Sequence, residues 1–408
     1  MIDISNIEIV DFHAHAPRRC NISQVIDMGE DARDFFSTVG KGQQVSHERA
    51  LIRYLSKVYG CKPTIEEVDK VITPKIEDDY YGYVESILDR EKIRLANLDL
   101  WGGKEVGELM VYTVVNVEKK GRDFPEDFPR NRMKWTYGTT HTIQPQWAAE
   151  KGAENLDEAL DLMYRDLDDS IKKGCAAFKT LITYFRTPAI DKVDQSEANE
   201  AFKKLVETKP KGFFTAWLSK VPLYDDPKMN VLLKKYQDFL FRSFLIRAGE
   251  LDRPVLIHSA SISSPTCDHR FENPENFFPI FYDEEIMKKT TICILHISYP
   301  WYQQAAVLPF QFYYKGNIYI DTSFVDEYPP VLRDVLKNVL TLTPIDRITF
   351  GSDTFGIAER FAFHAYRTRK VLTDVFEEMR TKWEWTEEDC IDAAEMILNK
   401  NAKRLLKI

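Results

Sequence analysis

An eight-stranded parallel α/β barrel is the fold class that the sequence predicts, and three observations support it. From about residue 111 onward, short β-branched runs alternate with longer amphipathic runs. This alternation is typical of parallel strands joined by helical crossovers. Eight strand candidates can be counted, and no glycine-rich dinucleotide motif favours an open sheet, although periodicity alone does not exclude one. We therefore expect a single (β/α)8 TIM barrel over residues 1–408.

The predicted strands follow from apolar runs bounded by turn residues. They cover residues 7–11, 94–100, 111–117, 175–183, 254–258, 291–296, 317–321 and 347–352. The strand at 254–258 opens on a proline, which is tolerated at a first strand position.

The predicted helices fill the gaps between these strands. They cover residues 156–173, 229–249, 302–314, 330–342, 361–382 and 387–406. The first of them ends before Gly174, a natural residue for the end of a helix, and the last is the C-terminal helix of the barrel.

Residues 20–92 do not fit the alternation. Helical patterns at 47–59 and 64–71 predict a helical insertion after the first strand, near the barrel mouth. Residues 118–150 are aromatic-rich and irregular, and a second long connection runs from 184 to 227. Long loops in compact domains often act as lids or binding segments.

Composition limits the class of protein. The formal net charge is −9, the charged residues are interspersed, and the six cysteines are scattered. No basic patch suggests nucleic acid, and neither a leader nor an apolar run of membrane-spanning length is apparent. We expect a cytoplasmic protein with reduced thiols that acts on a small molecule, and the sequence allows a homo-oligomer.

The segment Asp11-Phe12-His13-Ala14-His15 is the strongest functional signal, because it follows the apolar run of the first strand. Residues two apart on a strand point the same way, so His13 and His15 project together. Paired imidazoles with a carboxylate are typical ligands of zinc and related metals. The alternative is a pair of polar residues in a surface turn.

Polar residues also end four later strands: Lys179, His258, His296 and Asp353. Taken singly, a histidine here is often a core residue, an aspartate often caps a helix, and a lysine often extends into solvent. Catalytic groups in a parallel barrel lie where the strands end. Four of the eight histidines at strand ends, with an aspartate at the last, therefore predict a metal centre.

This pattern resembles the amidohydrolase superfamily of metal-dependent barrel hydrolases. The resemblance covers nearly the whole chain, including a similar C-terminal segment at residues 397–405. Within the superfamily the chain is most similar to the branch of nodulin-like and glutamine-synthetase-fused amidohydrolases. The similarity to this branch rests on residues 47–51 with 60–61, 178–180 with Tyr184 and Arg186, 272–274, and 351–353 with Glu359.

The resemblance implies a divalent metal, Zn²⁺ first and Mn²⁺ or Fe²⁺ next, held by His13, His15, His258 and Asp353. Asp353 is also expected to move the proton of the attacking water, and His296 to polarise the substrate carbonyl or hold the nucleophile. In the superfamily a lysine at the position of Lys179 can be carboxylated and bridge two metals. We expect one ion, with Lys179 as its neighbour or a substrate contact.

The predicted activity is hydrolysis of a C–N or C–O bond in a small carboxylate-bearing compound. Arg186, just after strand four, could grip that carboxylate through its forked donors; the alternative is an ordinary surface arginine. Two other functions stay open: a decarboxylase or isomerase on the same barrel, and a barrel that serves only as a scaffold.

Overall fold

A closed ring of strands organises the computed structural model, which describes residues 2–24, 46–99, 128–211, 222–260, 268–325 and 329–408. Eight parallel strands pair in chain order. They are β1 (Ile9–His15), β2 (Ile93–Asp99), β3 (Met133–Gly138), β4 (Ala177–Thr180), β5 (Val255–Ile257), β6 (Thr291–Ile294), β7 (Asn317–Asp321) and β8 (Ile348–Thr349). The main-chain N–H of Phe12 in β1 donates to the carbonyl of Phe350, directly after β8, at 2.9 Å, and this hydrogen bond joins the first strand to the last. The predicted barrel is confirmed.

Helices connect the strands and cover the ring. In chain order they are α1 (Ser46–Tyr59), α2 (Ile65–Asp78), α3 (Tyr80–Arg90), α4 (Pro145–Glu150), α5 (Leu156–Lys172), α6 (Gln195–Glu207), α7 (Pro227–Glu250), α8 (His269–Glu272), α9 (Phe278–Phe281), α10 (Glu284–Lys289), α11 (Tyr302–Gln311), α12 (Pro329–Leu342), α13 (Glu359–Lys382), α14 (Glu387–Glu395) and α15 (Asn401–Leu406). A π-helical turn, Met396–Lys400, joins the last two, so the predicted C-terminal helix is present as three consecutive pieces.

The third strand differs from the sequence prediction. The run at 111–117 lies outside the described residues, and β3 instead lies within the segment predicted to be an irregular loop. β3 alternates polar and aromatic residues and is only half-buried, with Met133 and Thr136 as its buried positions. A strand of this kind has no continuous apolar run to reveal it.

The strands are buried on both faces, as expected for a parallel sheet covered by helices. Alternate residues of β5 belong to two different apolar clusters: Val255 and Ile257 to one, Leu256 to the other. The second cluster includes Leu405 of α15. The amide of Asn401 donates to the carbonyl of Ile348 at 2.8 Å, so α15 lies at the end of the barrel where strands begin.

The helices after β1 contact the opposite end, where strands finish. The Tyr80 hydroxyl donates to the carbonyl of Arg18 at 2.8 Å, in the loop that follows β1. The Tyr83 hydroxyl donates to Glu359, the first residue of α13. Among the described helices, none is long and apolar enough to cross a membrane.

Candidate metal centre

Two strand ends supply the three groups that converge most closely. His13 and His15 come from the end of β1 and Asp353 from the loop after β8. The Asp353 Oδ1 atom lies 3.1 Å from His13 Nε2 and 3.3 Å from His15 Nε2. The imidazole rings of His13 and His15 are 5.3 Å apart between centroids, as the two-residue spacing predicts.

The backbone fixes this arrangement. The N–H of Asp353 donates to the carbonyl of His13, and the N–H of His15 donates to the carbonyl of Thr354, both at 2.9 Å. Asp353 has φ of 47°, in the left-handed region that non-glycine residues seldom occupy. A Cβ on Gly351 would lie 3.1 Å from the Cβ of His13, so the close approach of β8 to β1 needs glycine there.

The donor set fits a divalent metal. One ligand atom from each of His13, His15 and Asp353 lies within 4.8 Å of the others. Two imidazole nitrogens and a carboxylate oxygen are the protein ligands found in catalytic zinc sites, which leave a further position for water or substrate. Among the residues that the structure describes, this is the one such group of three.

Burial and charge keep these groups in the protonation states that a metal needs. Burial of the His13 ring, together with the ammonium of Lys179, lowers the pKa of this imidazole to about 4. Burial by itself would raise the pKa of Asp353, but imidazoles, His296 and then His13, hold it well below its ordinary value. Neutral imidazole and ionised carboxylate are the forms that bind metal.

Lys179 lies at the inner side of the cluster and is paired with an acid that sequence reasoning missed. Its Nζ is 2.9 Å from Asp99 Oδ2 and 3.1 Å from His13 Nε2. The two side chains of the ion pair are only 4% and 3% exposed. Burial would raise the pKa of Asp99, but Lys179 first, and then His15, bring it to about 2.

His258 and His296 form a second unit beside the first. His258 Nδ1 lies 3.1 Å from His296 Nε2, and His258 Nε2 lies 3.2 Å from the carbonyl of Ala260. His296 Nδ1 lies 2.8 Å from the hydroxyl of Ser323. Burial lowers the pKa of His296 to about 3 and the pKa of His258 well below its ordinary value, so both rings are neutral. The group of three whose ligand atoms lie within 4.8 Å of one another does not include His258.

Arg186, the predicted substrate contact, is held by neighbouring protein groups. Its Nη2 atom lies 2.5 Å from Asp238, and its Nη1 donates to the carbonyl of Thr187 at 3.0 Å. Its side chain is 14% exposed, so it is not an ordinary surface arginine either. These contacts hold the loop after β4 against α7, while the buried Nε atom has no partner among the described residues. The substrate-binding role of Arg186 stays a prediction.

Three further residues at strand ends were missed. Asp99 ends β2, Asp321 ends β7, and Ser323 follows Asp321 by two residues. Asp321 Oδ1 accepts the main-chain N–H of His296 at 2.6 Å, and burial raises the pKa of this carboxyl to about 7. The same rule that found the histidines, a polar residue at the end of an apolar strand, would have found both aspartates.

The segment 118–150, for which a lid or binding role stays a prediction, contributes three ring side chains that contact one another or α5. The Tyr137 hydroxyl donates to Asp166 of α5 at 2.7 Å, and His141 Nε2 lies 3.3 Å from the same carboxylate. The His141 ring packs edge-on against Trp147, with 5.3 Å between centroids. These side chains pack between β3 and α5.

The family model described as amidohydrolase matches residues 191–408, which is just over half of the chain. The chain belongs to the amidohydrolase family. The matched part contains His258, His296 and Asp353, while the paired histidines of β1 lie before it. This family is one of metal-dependent enzymes, which agrees with the donor set described above.

Known proteins similar to this chain support the fold. A protein from Lactobacillus casei described as a metal-dependent hydrolase has 15% identity and a TM-score of 0.69, covering 99% of this chain and 96% of its own. The uronate isomerase of Thermotoga maritima has 14% identity and a TM-score of 0.67, and the match covers 99% of this chain and 95% of the isomerase chain.

A sequence relative also matches part of the chain. Protein fluG of Emericella nidulans is 29% identical over 119 residues, which is 28% of this chain and 13% of that protein. The match therefore spans a small part of its length. The branch assignment made from the sequence stays a prediction.

Proposed function

We propose that this protein is a metal-dependent hydrolase that cleaves a C–N or C–O bond in a small carboxylate-bearing substrate. The observation that carries the proposal is the convergence of His13 Nε2, His15 Nε2 and Asp353 Oδ1 from two distant parts of the chain. A divalent cation, zinc in the first instance, would supply Lewis acidity and lower the pKa of water to roughly 7.

Asp353 is the residue suited to move the proton. Its side chain is 20% exposed, whereas those of His13 and His15 are 0% and 9% exposed, so the carboxylate is the most accessible of the three. Its depressed pKa keeps it ionised and able to accept a proton from the attacking water. The same carboxyl then delivers that proton to the leaving nitrogen or oxygen.

Lys179 is the cation closest to the reacting centre. An ammonium has three donors: one meets Asp99, and a second lies against His13 Nε2, a contact that is lost when this nitrogen binds the metal. The third can meet a substrate carboxylate or the oxygen on which negative charge develops. We prefer Lys179 to His296 for this role because both ring nitrogens of His296 already have protein partners.

Asp99 also supports a single ion. Carboxylation of Lys179 would require a neutral amine to add to CO₂ with loss of a proton, and it would create an anion. That anion would lie beside the buried carboxylate of Asp99, now 2.9 Å from Nζ. Two like charges at this distance in a buried site are unfavourable. The ammonium form, and one ion per chain, is the arrangement that Asp99 stabilises.

An isomerase acting on a sugar acid is the second candidate. The similarity to uronate isomerase extends over almost the full length of both chains. Such a reaction would use the same cluster of three, so the similar fold does not select between the two activities.

Metal content tests the metal centre first. Purified protein is analysed for zinc, manganese and iron, before and after loading, beside His13→Ala and Asp353→Asn. The matched controls are His269→Ala and Asp78→Asn, which alter exposed residues on α8 and α2. We expect close to one ion per chain in the wild type and controls, and loss of the ion in both site variants. Protein that binds no metal and is inert after loading would favour the scaffold interpretation.

A substrate panel tests the reaction. N-acyl amino acids and lactones report hydrolysis, aromatic carboxylates report decarboxylation, and uronates report isomerisation. Turnover of the first group that disappears in Asp353→Asn supports the proposal, while turnover confined to uronates would replace it with the second candidate.

A further inference from the structure

An arginine lies in the loop that follows the two histidines of β1. Arg18 comes three residues after His15, and its guanidinium carbon lies 5.2 Å from the centroid of the Phe355 ring. The Phe355 ring packs edge-on against the ring of His15, with 5.9 Å between centroids. One aromatic side chain therefore connects the guanidinium of Arg18 to a proposed metal ligand.

The backbone of Arg18 is held from two sides. Its N–H donates to the carbonyl of Gly356, in the loop after β8, at 2.6 Å. Its carbonyl accepts the hydroxyl of Tyr80 from α3 at 2.8 Å. The loops after β1 and β8 directly follow His15 and contain Asp353, respectively. The position of the arginine is therefore fixed relative to both kinds of proposed ligand.

The chemistry of this contact suits an arginine that binds an anion. The attraction between a guanidinium and an aromatic ring depends on the positive charge and on the face of the ring. The N–H donors lie in the guanidinium plane and match the two oxygens of a carboxylate. Arg18 and Phe355 are both partly exposed, so a small molecule in the barrel mouth has access to them. The ring also excludes water from one side, which strengthens an ion pair formed there.

We propose that Arg18 is a specificity-determining residue that binds the carboxylate of the substrate, with Phe355 supporting its guanidinium. The substrate class rests on the proposed function; the binding of a carboxylate by Arg18 does not. With the carboxylate on Arg18, the ammonium of Lys179 serves the oxygen on which negative charge develops. A neutral analogue would leave the guanidinium without the partner that its charge favours, so acids are preferred to their amides.

Arg18 and Arg186 occupy different places on the strand-end face. Arg186 follows β4, and its Nη2 atom lies 2.5 Å from Asp238 of α7. Among the described residues, Arg18 is the one arginine whose guanidinium lies over a ring that itself contacts His13, His15 or Asp353. This placement favours Arg18 for a substrate bound at the metal centre.

Proton–nitrogen NMR of the metal-free full chain, containing ¹⁵N-labelled arginine, detects the contact without turnover. The Arg18→Lys variant removes one Nε–H resonance and so assigns it. The probes are N-acetyl amino acids with different side chains, each compared with its C-terminal amide. We expect the Arg18 resonance to shift with at least one acid and to stay in place with the corresponding amide. No shift with any acid, or equal shifts with acid and amide, would overturn the proposal.

Affinities of variants separate carboxylate binding from a general effect of charge. Arg18→Met should weaken binding of the acid by roughly ten- to a hundredfold, because charge-assisted hydrogen bonds are lost, and leave binding of the amide unchanged. Arg19→Met is the matched control, since it removes the same charge from the next residue, whose guanidinium lies 5.9 Å from the Tyr80 ring centroid. Equal weakening in both variants would contradict the proposal. If Arg18→Met does not fold, the spectra and a partial loss of acid preference in Arg18→Lys decide.

Turnover separates this inference from the proposed function. With a carboxylate substrate from the panel, Arg18→Met should raise KM and leave kcat and zinc content close to the wild type, whereas Asp353→Asn should lose both zinc and turnover. A lower kcat at unchanged KM in Arg18→Met would contradict a binding role. Loss of acid preference in Arg186→Met alone would assign the carboxylate to Arg186 and overturn the inference. Protein without metal or turnover that keeps an Arg18-dependent preference for acids would refute the proposed function and support this inference.

Discussion

Removing the carboxylate of Asp99 should destabilise the protein far more than removing the pair that it forms with Lys179. In Asp99→Asn the ammonium of Lys179 stays in a site where its side chain is 4% exposed, without a full counter-charge. In the double variant Asp99→Asn/Lys179→Met no charge is left to compensate. Loss of one partner of a buried ion pair typically costs about 3–5 kcal/mol, whereas replacing both is often nearly neutral.

The size of the effect on the melting temperature follows from the chain length. An unfolding entropy of about 2.1 cal/mol/K per residue over 408 residues gives roughly 0.9 kcal/mol/K. A cost of about 3–5 kcal/mol therefore lowers the melting temperature by about 4–6 °C. Solvent screens the Asp99–Lys179 pair little, because both side chains are buried.

Thermal unfolding of metal-free protein, followed by circular dichroism, measures the wild type, both single variants and the double variant. Asp169→Asn is the control, since its pair with Lys172 is 58% and 74% exposed and its loss should leave the melting temperature unchanged. We expect each single variant to melt lower than the double variant. If the two single effects simply add in the double variant, Asp99 and Lys179 are not coupled and the case for a permanent ammonium fails.

Three other outcomes are expected. Zinc at a hundred times its Kd should stabilise the wild type and the control His269→Ala by about 2.7 kcal/mol, which raises the melting temperature by about 3 °C. Calorimetric scans should show no such gain in His13→Ala. Gly351→Ala should lower the free energy of unfolding by about 1–3 kcal/mol and weaken zinc binding, because the added Cβ would lie 2.5 Å from Asp321 Oδ2. An unchanged zinc titration would contradict this. Burial raises the pKa of Glu359, so the folded state binds the proton of this carboxyl more tightly than the unfolded state does. The stability of the folded state therefore falls as the pH rises from the ordinary pKa of the carboxyl towards the raised value. Glu359→Gln should therefore gain in melting temperature over the wild type between pH 4 and pH 7, and equal pH profiles would refute the assigned cause.

The residues that the sequence revealed share one property: each ends a continuous apolar run. β1, β5, β6 and the run before Asp353 are of this kind, and the paired histidines follow from the two-residue period of a strand. β3 was missed because its half-buried residues alternate with polar ones, and only the pairing of its backbone with β2 and β4 makes it a strand. The stronger apolar pattern at 111–117 drew the prediction away from it.

Local sequence by itself determined that imidazoles and a carboxylate lie at the ends of parallel strands, because strand period and apolar burial are properties of short segments. Only the tertiary structure decided which of them meet. It placed Asp353 against His13 and His15, turned His258 towards His296, and occupied Arg186 with Asp238. These partners are separated by tens to hundreds of residues, and they are brought together by the closure of the ring and by hydrogen bonds between its loops. No local pattern encodes those distances.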